Sequence, residues 1–135
     1  MTPENLEAQG WVHRHVTLTR IIDADTLVFD IDHGFGVWSR GLRVRIKDYD
    51  APEHRSHAGH HAKAAEKMHA IQATEAAHGI LSGSGLKLVT FKGDSFNRWI
   101  GQVFISDDEG GWTDYGDLMT ELGWAKRPFY TDSEE

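Results

Sequence analysis

The run from residue 42 to residue 47 constrains this chain more than any other. Leu42, Val44 and Ile46 alternate with Arg43, Arg45 and Lys47. An extended backbone therefore puts apolar side chains on one face and cations on the other. The run continues into Asp48-Tyr49-Asp50-Ala51-Pro52-Glu53, where the proline turns the chain. The sequence thus predicts a half-buried strand whose exit gathers a guanidinium and two or three carboxylates.

The neighbouring segments extend this strand into a sheet. Residues 11–22 are rich in β-branched and aromatic side chains and turn at Asp23-Ala24-Asp25. Residues 26–31 return as the hairpin partner, with Leu27, Phe29 and Ile31 at period two. A loop with Gly34 and Gly36 leads to the third strand, about 40–48. Residues 54–61 hold four histidines in a loop. A helix is expected over about 62–81, with Ala64, Met68 and Ile71 on one face, ended by Ser82-Gly83-Ser84-Gly85. Residues 86–92 and 99–106 read as two more strands. Residues 113–122 read as a short helix with Tyr115, Leu118, Met119 and Leu122 as its apolar stripe and Gly123 at its C′ position. Five strands with a helix between the third and fourth predict an α+β fold. The expected form is a five-stranded OB-type β-barrel with a short C-terminal helix. The 135 residues suit one domain, with 1–10 and 131–135 as loose ends.

Composition narrows the chemistry. The chain has no cysteine, so disulfides and thiolate metal sites are excluded. The N-terminal residues begin acidic and hold no apolar run of signal-peptide length, and no segment approaches transmembrane length. The expectation is a cytoplasmic monomer with no membrane partner. The net charge is −7, which argues against tight non-specific binding to nucleic acid. The excess is local, however. Residues 107–135 carry nine acidic side chains against Lys126 and Arg127, and the rest of the chain balances.

Three polar turns stand out against the apolar runs: Asp23-Ala24-Asp25-Thr26, the strand exit from Arg45 to Glu53, and Asp94-Ser95-Phe96-Asn97-Arg98. Asp25 and Asp50 are hard oxygen ligands of the kind Ca²⁺ or Mg²⁺ takes. Glu53, three residues past Asp50, has the reach to act as a general base on a water. Arg45 and Arg98 offer planar donors to a phosphate. The structural alternatives are plain: Asp23 and Asp25 as ordinary hairpin-turn residues, Arg98 as a turn residue, and Asp48 as a solvated charge. His57, His60 and His61 lie close together, but without carboxylate or thiolate partners at set spacing they do not make a zinc pattern. A mobile rim that gains charge in acid is the better reading. The five tryptophans suit the core or the sheet edges.

In order and spacing these three turns resemble the staphylococcal nuclease (thermonuclease) family over about residues 16–125. That resemblance implies the OB-type barrel and Ca²⁺-dependent cleavage of DNA or RNA. It further implies Ca²⁺ held by Asp25, Asp50 and the Ala51 backbone carbonyl, with Glu53 as general base and Arg45 and Arg98 on the phosphorane. It places Phe96, Phe129 and Tyr130 near the substrate. The chain departs from the family in its grip on substrate: Ser95 stands where relatives often have lysine, Phe96 replaces a tyrosine and Asn97 a glycine. The competing expectation is a non-catalytic nucleic-acid-binding or protein-interaction module on the same barrel.

Overall fold

The computed structural model describes residues 10–54, 63–83, 85–93 and 99–130, and among these described residues it has seven strands and two helices. In chain order they are β1 (Trp11–His13), β2 (Val16–Asp23), β3 (Thr26–Asp32), β4 (Trp38–Ile46), α1 (Ala64–Leu81), β5 (Leu86–Lys92), β6 (Trp99–Ser106), β7 (Trp112–Asp114) and α2 (Tyr115–Glu121). The hydrogen-bonded order β1-β5-β6-β4-β3-β2 runs as an open sheet, with β7 paired to β6. All pairings are antiparallel except β4 with β6. This is the expected α+β class, with seven strands where the sequence pattern suggests five.

The two extra strands have local causes. Trp11 pairs with Thr90 of β5, whereas Val16 pairs with Ile31 of β3. The chain changes neighbours at Arg14-His15, so the single first strand expected over 11–22 becomes β1 and β2. β7 arises because Asp114 stays extended and caps α2, accepting the Asp117 N–H at 3.0 Å. The C-terminal helix therefore starts at Tyr115 rather than at 113. At its other end Gly123 has φ +89°, as its C′ position requires, and Trp124 N–H reaches back to the Met119 carbonyl.

β4 shows the alternation its sequence predicts. Val44 and Ile46 are buried, and Arg43 and Lys47 are exposed on the other face. They join Leu27, Phe29 and Ile31 of β3, Leu88 of β5, and Val103 and Ile105 of β6 in one core, closed by Tyr115 and Met119 of α2. Each of the larger side chains contributes about 1.5–3 kcal/mol by leaving water. β4 and β6 meet closely at Gly101, where an added Cβ would lie 2.5 Å from Val44 Cγ1. A side chain there would separate the two strands that carry the site.

The packing face of α1 differs from the expected one. Ala64, Met68 and Ile71 are exposed, and the buried row is Ala65, His69, Ala73, Ala77 and Leu81. The strands already fill the core with large side chains. A helix face of methyl groups can approach that surface closely, and its bulkier side chains then face outward. The tryptophans occupy the edges: Trp11, Trp38 and Trp112 are exposed, and Trp99 and Trp124 are half-buried. Among the described residues no helix is long and apolar enough to cross a membrane.

Candidate active site

Arg45 is the centre of a small polar cluster where β4 ends. Its Nη1 lies 2.9 Å from Asp25 Oδ2 and donates to the Tyr49 carbonyl at 2.6 Å, and its Nη2 pairs with Asp50 Oδ1. Strand register explains the meeting. Thr26 pairs with Arg45, so the β2–β3 turn sits directly beside the β4 exit. The Ile46 N–H bonds to the Asp25 carbonyl at 2.8 Å and seals the two together. The three residues predicted to share a site from separate turns are therefore in contact.

Asp25 does more than shape its own hairpin. Its Oδ2 also accepts the Ala51 N–H at 2.9 Å, across 26 positions of chain, and its Oδ1 accepts the Thr26 hydroxyl at 3.1 Å. The carboxylate thus joins two turns, which removes the reading of Asp25 as a turn-forming residue alone. Its side chain is only 14% exposed. Burial raises its pKa above the ordinary 3.8, outweighing the Ala51 N–H and the Arg45 charge that act in the opposite direction. Asp50 is the contrasting partner, with its side chain 77% exposed. Asp48 is solvated, as expected, and holds a left-handed φ of +59° that lets β4 turn into the site.

Below the cluster lies a layer of tyrosine. Tyr115 donates its hydroxyl to the Ala24 carbonyl and Tyr49 donates to the Trp124 carbonyl at 2.9 Å, with the two rings edge to face. Burial pushes both phenols well above the usual tyrosine range, so both remain neutral donors. They fix the backbone on either side of Asp25 and Arg45. Beside Arg45 opens a pocket of about 460 Å³, lined by Lys47, Asp48, Asp50, Phe91 and Ile100 as well as Arg45 and its neighbours. Lys47 lies over the Phe91 ring, 5.1 Å from its centroid.

Glu53 follows Pro52, and its backbone N–H is held by Glu66 Oε2 at 2.9 Å. Glu66 is a buried carboxylate of α1 that also meets Lys126 Nζ at 3.5 Å. Nothing in the spacing of the sequence marks it, because acidic residues in the first turn of a helix are ordinary. Phe91 and Lys47 were also missed as pocket residues. The alternation of Arg43, Arg45 and Lys47 was the available signal for Lys47. His54 bonds Thr74 of α1 at 2.9 Å and sits 3.6 Å from Asp23 Oδ1, so Asp23 has a partner beside the helix while its charge still acts on Asp25.

Arg98 and Phe96 lie outside the described residues, as do His57, His60 and His61. Phe129 is 74% exposed. Tyr130 does not fit the substrate-stacking role that the resemblance implies. It is 7% exposed, its hydroxyl donates to His69 Nδ1 at 2.8 Å, and that oxygen accepts the Arg127 N–H at 3.1 Å. His69 Nε2–H in turn donates to the Gly123 carbonyl at 2.9 Å. Tyr130 thus clasps the C-terminal segment to α1 and offers no ring face to a nucleotide.

No family model, curated protein or solved structure matches the chain.

The donor chemistry was weighed for a divalent cation. Among the described residues no group of three or more His, Asp or Glu forms a ready-made metal cage. Two carboxylates converge on one guanidinium, however, and one of them is buried and raised in pKa despite that partner. A carboxylate still short of positive charge, an exposed second carboxylate and the nearby Ala51 carbonyl suit a hard cation completed by water.

Proposed function

We propose that this chain is a divalent-cation-dependent nuclease of the staphylococcal nuclease kind, hydrolysing phosphodiester bonds of DNA or RNA. The observation that carries the reading is the meeting of Asp25 from one turn with Arg45 and Asp50 from another, beside a pocket lined by Arg45 and Lys47 as well as Asp48 and Asp50. In this reading the sheet is a barrel of the OB type. Support for that comes from β1 and β2, which end the strand order on opposite sides yet are joined through Arg14-His15.

Asp25, Asp50 and the Ala51 carbonyl would hold the cation, with Ca²⁺ proposed and Mg²⁺ as the alternative. When bound, it supplies positive charge against the phosphate and a more acidic water. The remaining work falls to the chain. Arg45 spends donors on Asp25, Tyr49 and Asp50, while its Nε–H has no partner among the described residues. That hydrogen, beside the second hydrogen of Nη2, forms the planar fork that matches two phosphate oxygens. Donors already aimed in this way strengthen their bonds as charge builds on the phosphorane. Arg98 is proposed as the second such donor. Glu53 takes the proton of the attacking water, and Glu66 fixes its position through the backbone amide.

The test is cleavage of plasmid and single-stranded substrates with Ca²⁺ or chelator, for wild type and Glu53→Gln. Cleavage should require the cation and fall about 10²–10⁴-fold in the variant, the scale for losing a general base, with Ca²⁺ binding kept. Equal rates in chelator, or a fully active Glu53→Gln, would overturn the reading. Binding without cleavage in any cation would instead support the non-catalytic module.

A further inference from the structure

A groove of about 730 Å³ lies away from the Arg45 cluster, between β2, the C-terminal end of α1 and the start of β5. Its polar lining is Arg14, Thr17, Thr19, Arg20, His78 and Ser82, together with the indole of Trp112. In a chain of net charge −7, no carboxylate lines it among the described residues. Arg40 and Arg45 are committed to carboxylates, whereas Arg14 and Arg20 have no ion pair among the described residues. The acidic turn before Trp112 directs Asp107 onto its own Glu109 and Gly111 amides.

We propose that this groove binds the phosphate backbone of single-stranded nucleic acid and feeds it to the Arg45 site. The proposal rests on the nuclease reading and supplies the grip that Ser95 and Phe96 fail to provide. Arg14 lies at the bend before β2 and Arg20 within β2, both on the groove, so a single strand laid along it would meet both. Trp112 is 42% exposed, with Lys87 Nζ 4.6 Å from its ring centroid. An open indole beside a cation is the pairing that stacks a base next to a bound phosphate. At the Arg20 end, β2 runs directly into the Asp23–Thr26 turn, and hence into the site.

The experiment is an anisotropy titration of labelled (dT)₁₂ in chelator over a range of salt. It compares wild type, Arg14→Ala, Arg20→Ala, the Arg14→Glu/Arg20→Glu double variant and Arg43→Ala, a control arginine outside the groove. Each groove alanine should weaken binding several-fold and reduce the log–log salt slope by about 0.7, the value per phosphate contact on a single strand. The double reversal should weaken it more than tenfold, and Arg43→Ala should leave it unchanged. Single-turnover cleavage of saturating oligonucleotide in Ca²⁺ should keep its rate in the groove variants. Circular dichroism establishes that each variant is folded. Wild-type affinity in the double reversal, or an equal loss in Arg43→Ala, would overturn the proposal, as would polyglutamate competing as well as (dT)₁₂. Groove-dependent binding without any cleavage would keep the groove and remove the nuclease. Cleavage with groove-independent binding would do the opposite.

Discussion

β3 and β4 carry two arginine–aspartate pairs, one at each end of the same hairpin, and they behave in opposite ways. At the site end Arg45 meets Asp25. At the other end Arg40 Nη1 meets Asp30 Oδ2 at 3.0 Å, and Asp30 Oδ1 accepts the Gly41 N–H at 2.8 Å. That second pair sits on a bulge: Phe29 pairs with Leu42 and Ile31 with Ser39, leaving Arg40 and Gly41 opposite Asp30 alone. The Gly41 amide, then Arg40, hold the Asp30 carboxyl below the ordinary 3.8. Burial holds Asp25 above it, although Asp25 also has an amide and a guanidinium. The donors are of the same kind at both ends, but at Asp25 burial outweighs them and at Asp30 they outweigh burial. A carboxylate kept dry beside a half-buried arginine is costly.

Removing the arginine should separate the two ends most sharply. Arg45→Ala leaves Asp25 buried without its counter-charge and Asp50 without its anchor. The expected loss is about 2–3 kcal/mol, somewhat below that of a fully buried pair, with turnover down on the order of 10²–10³-fold. Arg40→Ala, at an exposed pair, should cost no more than about 0.5 kcal/mol and leave turnover unchanged. Urea unfolding and cleavage assays read both, and equal stabilities for the two variants would break the contrast.

The aspartates come next. Asp25→Asn should weaken Ca²⁺ binding by about tenfold or more through loss of a hard anionic ligand, and Asp30→Asn should not change it. Calorimetric titration gives the answer, and unchanged affinity in Asp25→Asn would take the cation away from this cluster.

The bulge provides a smaller test at the outer end. Gly41 has φ +64° with nothing within 4 Å of a built Cβ. Gly41→Ala therefore meets backbone strain alone and should cost about 1–2 kcal/mol, with Ca²⁺ affinity intact. A change in cation binding would show that the two ends are mechanically coupled.

The smallest effect has the clearest sign. Between 3.8 and its raised pKa, folded Asp25 keeps a proton that the unfolded chain has released. Its contribution to stability therefore falls as pH rises through that window. Asp30 contributes fully above 3.8 and loses that contribution as pH falls through its depressed pKa. Stability measured from pH 3 to pH 6, relative to Asp25→Asn and to Asp30→Asn, should therefore slope in opposite directions. Parallel slopes would show that burial is not what distinguishes them. Saturating Ca²⁺ should flatten the Asp25 slope, because the cation competes with the proton.

Most strands and the two helices were legible from their periodicity, and the alternation ending at Pro52 put Arg45 and Asp50 at one strand exit, whereas the meeting with Asp25 was implied only by the resemblance. The face of α1 was not. Met68 and Ile71 look like core residues by hydropathy, but a helix lying close to a filled sheet needs the alanine row instead. Glu66 was hidden for a related reason, since its significance comes from a contact with Glu53 that no local pattern encodes. Tyr130 was placed near the substrate by the resemblance alone, which carries no information about its contacts in this chain. Its partner His69 lies 61 positions away, in a helix whose buried face had been assigned to other residues.

The C-terminal clasp also bears on when the molecule becomes competent. The Lys126 N–H bonds the Asp50 carbonyl at 2.8 Å, and the Trp124 carbonyl receives the Tyr49 hydroxyl. The turn bearing Asp50 is therefore braced by residues that follow the last described strand and helix in the chain. Under the proposed function, the site would be complete only once residues 124–126 have folded back onto that turn.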